Sequence, residues 1–229
     1  MDDPNACYQA LREYVSRLEE KFISPFLPAT PEMKPQDYEY EVKAYCLLAH
    51  GAIEEFFERV ALYVVDCCVD GWSTKKRLSL TLVTLAMAHG QRIVLDKDKS
   101  KPFRIFDGVR NGLKDAKQAF SNAVKANHGA SIPYLNALFV PAGIQLADEA
   151  KWSDSLSKLV AARGDFAHGT GAKKIMSPED AKRYVSDCLD LCEKIKLQAE
   201  AQVQETIPQM RGVSAPAGPI QADQQGELA

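Results

Sequence analysis

From about Gln36 to Cys68 the chain keeps a helical period without a break. Tyr40, Ala44, Leu47, Leu48, Ile53, Phe56, Phe57, Val60, Ala61 and Val64 recur largely at three- and four-residue spacing. On a helix that spacing gathers them on one side. The resulting face is wide. A helix apolar over so much of its girth must be covered from several directions, which places it at the centre of a bundle. Glu54, Glu55 and Glu58 lie along the same segment. They are expected to face solvent. In the other arrangement one carboxylate turns inward to orient an Arg or a His.

The flanking segments are also helical in pattern. Residues 4–24 set Tyr8, Leu11, Val15, Leu18 and Phe22 on one stripe. Pro25, Pro28, Pro31 and Pro35 then interrupt it, and Phe26 and Leu27 among them predict a packed connector. Asp70, Gly71 and Trp72 are expected to end the long helix. Ser73 would cap the next, built from Leu78, Leu80, Leu82, Val83, Leu85 and Met87 as far as His89. Lys97 to Lys101 alternate in charge and predict an exposed loop. A helix over Asp107–Lys125 has Val109, Leu113, Ala116, Phe120 and Val124 on one side, with Arg110, Lys114, Lys117 and Lys125 on the other.

Asn127-His-Gly129 predicts a turn. Ser131 opens a short helix through Tyr134, Leu135, Leu138 and Phe139, stopped by Pro141 and Gly143. Ser153 opens another, carrying Leu156, Leu159 and Val160 towards Arg163 and His168, with Gly169 and Gly171 beyond its end. Ser177-Pro-Glu-Asp180 combines a cap, a Pro at the first position and acids in the first turn. The last helix then runs to about Thr206 through Tyr184, Val185, Cys188, Leu191, Ile195 and Leu197. After Pro208 the chain turns to Gly, Ala, Pro and Gln, a composition that predicts a disordered tail over 208–229. There is no repeat and no strand pattern, so the expected class is all-α. The expected division is an N-terminal helix with its Pro-rich connector (1–35), a helical domain (36–207) and the tail.

Composition narrows the function. With 46% hydrophobic residues in 229, a full core is possible. No run of eighteen apolar residues is present, so no membrane span is expected. The start, Met1-Asp-Asp-Pro4, is not that of a secretory signal, and the expected location is the cytoplasm. The six cysteines (Cys7, Cys46, Cys67, Cys68, Cys188 and Cys192) then read as small core residues. Cys188 and Cys192, four apart, could supply two metal ligands, but no His or Cys pair elsewhere completes a site. Neither a metal nor another cofactor is expected.

A net charge of −3 argues against general nucleic-acid binding, yet it hides an asymmetry. Residues 1–72 carry fourteen acids and six bases, whereas 73–125 carry twelve bases and four acids. The basic part suits either a phosphate-rich partner or a solvated face. Arg110, Lys114 and Lys117 are the candidate phosphate contacts.

One short stretch carries chemistry: Arg163-Gly-Asp-Phe-Ala-His168. The Arg and the His are separated by four residues, a little over one helical turn, so both side chains are expected to reach one patch. Arg163 offers a permanently charged planar fork that matches phosphate oxygens. His168 exchanges a proton near neutral pH. RNA supplies its own nucleophile, the 2′-hydroxyl. Its cleavage needs a base, an acid for the leaving 5′-oxygen and positive charge on the transition state. The products would be a 2′,3′-cyclic phosphate and a 5′-hydroxyl, and DNA would be spared. The same residues also fit a structural reading, with Arg163 paired to Asp165 or another acid and His168 capping a helix end. No other His has an Arg five to seven residues before it. His50 reads as a core or interface residue, His89 as a helix cap and His128 as part of the turn.

This stretch resembles the Arg-x4–6-His signature of the HEPN superfamily (higher eukaryotes and prokaryotes nucleotide-binding). Gly51-Ala-Ile-Glu54, Asn127-His-Gly129 followed by Leu135 and Leu138, Pro141-Ala-Gly-Ile144, and the Arg-Gly-x-x-Ala-His form of the motif resemble the RiboL-PSP type within it. The resemblance covers about residues 40–200. It implies an up-and-down helical bundle and a metal-independent endoribonuclease that acts as a toxin or in phage defence. It also implies a homodimer in which two motifs share a composite cleft, with an antitoxin or sensor as a possible partner. Carried over by residue, Arg163 and His168 would be the catalytic pair and Glu54 an acidic helper. Many members have a polar residue directly after the Arg. Here Gly164 stands there and Asp165 follows, so Asp165 would either orient the pair or bind Arg163. The competing function is a non-catalytic helical module that binds a protein, nucleotide or RNA, since a fold does not fix an activity.

Overall fold

A computed structural model describes residues 3–30, 32–90, 105–126, 129–146, 148–168 and 175–204, with the backbone alone at 164–168. The expected loop at 97–101, Asn127 and His128, Gly169 and Gly171, and the tail at 208–229 lie outside the described residues. Among those described there are seven α-helices and no strand, and the fold is all-α.

Helix α1 (Pro4–Phe22) starts where Asp3 accepts the Ala6 N–H at 2.9 Å and Pro4 takes the first position. Two 3-10 turns, Ser24–Phe26 and Pro35–Asp37, carry the chain to α2 (Glu39–Lys75). At 37 residues α2 is about 55 Å long. It packs against every other helix: α1, α3 (Leu80–His89), α4 (Ile105–Ala126), α5 (Ile132–Phe139), α6 (Ala150–His168) and α7 (Pro178–Gln204). Its central position follows from its girth. Val42, Tyr45, Cys46, Ala49, Ile53, Phe56, Phe57, Val60, Ala61, Val64 and Val65 are all buried.

Two features of α2 differ from the sequence reading. Its first turns are rotated, with Tyr40 73% and Leu48 39% exposed while Val42, Tyr45 and Cys46 face inward. Both registers contain enough apolar residues to form a stripe, and packing against the neighbouring helices selects one. The helix also runs past Asp70–Trp72 to Lys75. Gly71 inside a helix costs about 1 kcal/mol, but Trp72 packs on Phe106 of α4 at 5.8 Å. The end comes at Lys76, in the left-handed conformation (φ 57°), where the Arg77 N–H donates to the Gly71 carbonyl. Arg77 then donates to the last carbonyls of α7, Val203 at 3.1 Å and Gln204 at 2.9 Å. Helix α3 accordingly starts at Leu80, not near Ser73, and Leu78, Leu80, Val83 and Met87 are exposed.

Helix α4 buries Leu113, Ala116, Phe120 and Val124 of the expected stripe, with Val109 partly buried. After α5 the chain turns at Gly143 (φ 72°), where the Ile144 N–H reaches the Phe139 carbonyl at 3.0 Å. Buried Thr81 and partly buried Thr84 of α3 donate to the carbonyls of Ala142 and Pro141 at 2.9 and 3.1 Å. The Pro141–Ile144 segment thus binds α3. Helix α6 buries Trp152, Ser155, Leu156 and Leu159, and Ser155 donates to Asp187 of α7 at 2.7 Å. Ser177 caps α7 by accepting the Asp180 N–H at 3.1 Å. All six cysteines are free, and five of them are buried. No described helix is long and apolar enough to cross a membrane.

Candidate active site

Three segments distant in sequence meet at one carboxylate. Glu54 projects from the middle of α2 on the edge of its apolar face, and its side chain is only 11% exposed. It does not face solvent as expected of the three acids. Glu55 does, pairing with Arg59 at 3.4 Å. Glu58 is half-buried and accepts the Tyr134 hydroxyl at 2.7 Å. Burial, with the bond to Glu58, pushes the Tyr134 phenol up, so it remains a donor at neutral pH.

Glu54 Oε2 accepts from Arg163 Nη1 at 3.1 Å. Glu54 Oε1 accepts the backbone N–H of Gly129. Gly129 has φ 127°, a conformation that favours glycine, and it aims this N–H across to α2. A buried carboxylate is stable only with such donors. Arg163 has 41% of its side chain exposed, against 11% for Glu54. Among the described residues the acid paired with Arg163 is Glu54.

His50 lies one helical turn before Glu54 and is 1% exposed. Its Nδ1 is 3.7 Å from Glu54 Oε2. Burial pushes its imidazole below the ordinary value; nearby Arg163 acts in the same direction and Glu54 opposes it. The sequence reading placed His50 in the core, which is correct, but gave it no connection to the site. His89 ends α3 as expected and stacks edge-on against Phe120.

Position 168 is the last residue of α6. A continuous helix turns about 140° and rises about 7.5 Å over five residues. Helix geometry therefore does not by itself bring positions 163 and 168 to one face, contrary to the expectation from spacing. The side chains of Asp165 and His168 lie outside the described residues.

The candidate phosphate contacts on α4 are placed elsewhere. Lys117 pairs with Asp66 of α2 at 2.9 Å and Arg110 with Asp107 at 3.1 Å. Asp66 lies twelve residues beyond Glu54, about 18 Å along the helix. Lys114 is exposed and has no ion pair among the described residues. Two apolar grooves, one lined by His89, Phe120, Tyr134 and Pro141 and the other by Tyr14, Leu48, Gly51 and Phe56, are lined by neither Arg163 nor Glu54. Among the described residues no group of three or more His, Cys, Asp or Glu is arranged to hold a metal ion.

Sequence reasoning overlooked the backbone of Gly129 as a site group. The signal was available in part, because Asn127-His-Gly129 and Glu54 both belonged to the resemblance, but nothing local linked one to the other. A family model described as RiboL-PSP-HEPN matches residues 12–201. No curated protein and no solved structure matches the chain.

Proposed function

The chain belongs to the RiboL-PSP-HEPN family, and on that premise we propose that it is a metal-independent endoribonuclease using Arg163 and His168. The observation that carries the reading is the convergence on Glu54. Glu54 of Gly51-Ala-Ile-Glu54, Gly129 of the Asn-His-Gly sequence and Arg163 of the Arg/His motif meet there through two hydrogen bonds. Three motifs far apart in sequence are thereby tied to the position of one guanidinium.

In the proposed mechanism Glu54 holds Arg163, five residues before the end of α6, and the guanidinium contacts the non-bridging oxygens of a phosphate. Charge built up on the transition state is met by a guanidinium already in place, so little reorganisation is needed. His168 takes the 2′-hydroxyl proton as the O2′–P bond forms, and the imidazolium so formed gives it to the 5′-oxygen as the P–O5′ bond breaks. Asp165 has the supporting role of orienting the pair. The family implies a homodimer, in which two copies of the motif would face one another and share one cleft. The biological role that follows is a toxin or phage-defence effector, held in check by an antitoxin or sensor protein.

The test is a digest of total cellular RNA in the presence of a chelator, with product ends mapped. Wild type is expected to cut and leave 2′,3′-cyclic phosphates, while folded Arg163→Ala and His168→Ala do not. Cleavage by both variants at the wild-type rate rules the assignment out. Mixing the two variants under conditions of subunit exchange is expected to restore part of the activity if the cleft is shared.

A second reading, a binding module without catalysis, is favoured by one observation: the Arg163 fork already has a buried acid as its partner, as in a purely structural ion pair. Intact RNA after prolonged incubation with wild type, together with a tight partner complex, would select it.

A further inference from the structure

His50 is a buried polar side chain with no assigned purpose. Neither of its ring nitrogens has a hydrogen-bond partner among the described residues, a costly state for a buried imidazole. A Leu would fill the same space without that cost. The polar atom facing it is Glu54 Oε2, 3.7 Å from Nδ1. That is about 0.5 Å beyond the usual N–H···O range, and it is the same oxygen that accepts from Arg163. Two nitrogens, one on α2 and one on α6, thus stand near one carboxylate oxygen. One is bonded to it and the other is just out of reach.

We propose that His50 is a positioning residue of the site, the reserve donor that takes Glu54 Oε2 when Arg163 turns its fork to a phosphate. This rests on the reading of Arg163 as the phosphate-binding residue. The physical reason is the burial of Glu54. A guanidinium drawn outward lengthens its bond to Oε2 and leaves a carboxylate of 11% exposure with the Gly129 N–H alone. A carboxylate left that way is unstable and tends to follow the arginine. A neutral imidazole carries one N–H, and a small rotation at His50 or Glu54 closes the gap. The carboxylate then stays where it is, and the guanidinium has a fixed point to return to after product leaves. Glu54 and Arg163 are the charged groups that act on His50.

Two variants separate this role from packing. His50→Leu keeps the volume and removes the donor. His50→Asn places an amide N–H near the position of Nδ1. The first measurement is a stability cycle by urea denaturation, which needs no activity: wild type, His50→Leu, Arg163→Ala and the double variant. Removing Arg163 imitates its departure, so His50→Leu is expected to leave the urea midpoint of wild type unchanged or slightly raised and to lower it in the Arg163→Ala background. Equal shifts in the two backgrounds overturn the proposal. The second is RNA cleavage, where His50→Leu is expected to lower kcat roughly tenfold with little change in KM, within the range that misplacing a catalytic group costs, and His50→Asn is expected to recover most of it. If wild type cuts RNA and His50→Leu cuts at the same rate, His50 is a packing residue only. If wild type does not cut, the nuclease reading fails by itself, and the stability cycle still decides whether His50 serves Glu54.

Discussion

Arg163 on α6 donates to Glu54 on α2 across 3.1 Å, although the two residues are 109 positions apart in the chain. The pair is asymmetric. Glu54 is buried and also holds the Gly129 N–H, whereas Arg163 is 41% exposed. Glu54→Ala therefore strands two donors and is expected to cost about 1–3 kcal/mol. Arg163→Ala removes a donor whose side chain is 41% exposed and leaves Glu54 with the Gly129 N–H and the nearby His50 imidazole; with solvent screening and that reserve donor the expected cost is about 1 kcal/mol. Glu54→Gln, which keeps an acceptor for Gly129, falls between them. Urea denaturation of the three variants checks the order; equal costs for Glu54→Ala and Arg163→Ala would contradict it.

The basic face of α4 can be divided by its ion pairs. Lys117 is neutralised by Asp66 and Arg110 by Asp107, while Lys114 is exposed with no such partner among the described residues. Lys114→Glu is expected to raise KM for RNA more than it lowers kcat. If Lys114 contacts a phosphate, Lys114→Ala reduces the slope of log affinity against log salt by about 0.7, the value for one contact on a single strand. An unchanged salt slope would remove this face from the substrate path.

Burial pushes both His50 and His89 below the ordinary imidazole value, with Arg163 adding to the shift at His50. The unfolded chain binds protons at these sites near pH 6.5, and the folded chain binds them only at lower pH. Between the two values the unfolded state holds more protons, so stability falls as pH drops below about 6.5. Above that pH these two groups contribute no slope. Melting temperatures across pH 5–8 are expected to decline on the acid side, less steeply for His50→Leu. Matching profiles for the variant and wild type would show that His50 titrates alike in both states.

Gly143 combines a left-handed backbone with a close neighbour. Its φ is 72°, and a Cβ there would stand 3.0 Å from the Thr81 backbone nitrogen and 3.1 Å from its hydroxyl. Gly143→Ala is expected to destabilise by about 1–2 kcal/mol from the conformation alone, with the added cost of pushing α3 away. Gly51→Ala, on α2, would meet nothing within 4 Å and is expected to stabilise by roughly 0.5–1 kcal/mol, as Ala does over Gly in a helix. Thermal melts of the two variants should move in opposite directions.

The amino-acid pattern alone determined the class of the fold and most of its elements. The stripe Leu113, Ala116, Phe120 and Val124 is buried as read, and the Ser177 cap and Pro178 start α7 where expected. Such features depend on residues within a turn or two of each other, and local periodicity and hydrogen bonding suffice to specify them. Tertiary structure alone decided the register at the start of α2, its continuation through Gly71, and which of three glutamates turns inward. Glu54, Glu55 and Glu58 have the same chemistry and lie on one helix. What distinguishes Glu54 is that Gly129 and Arg163 arrive beside it from other parts of the chain, and a buried carboxylate persists only where such donors meet it. The Arg/His motif was legible because it is contiguous. Its anchoring by Glu54 was indicated only through the family resemblance and by no local pattern, because it depends on how α6 and the segment before α5 pack on α2.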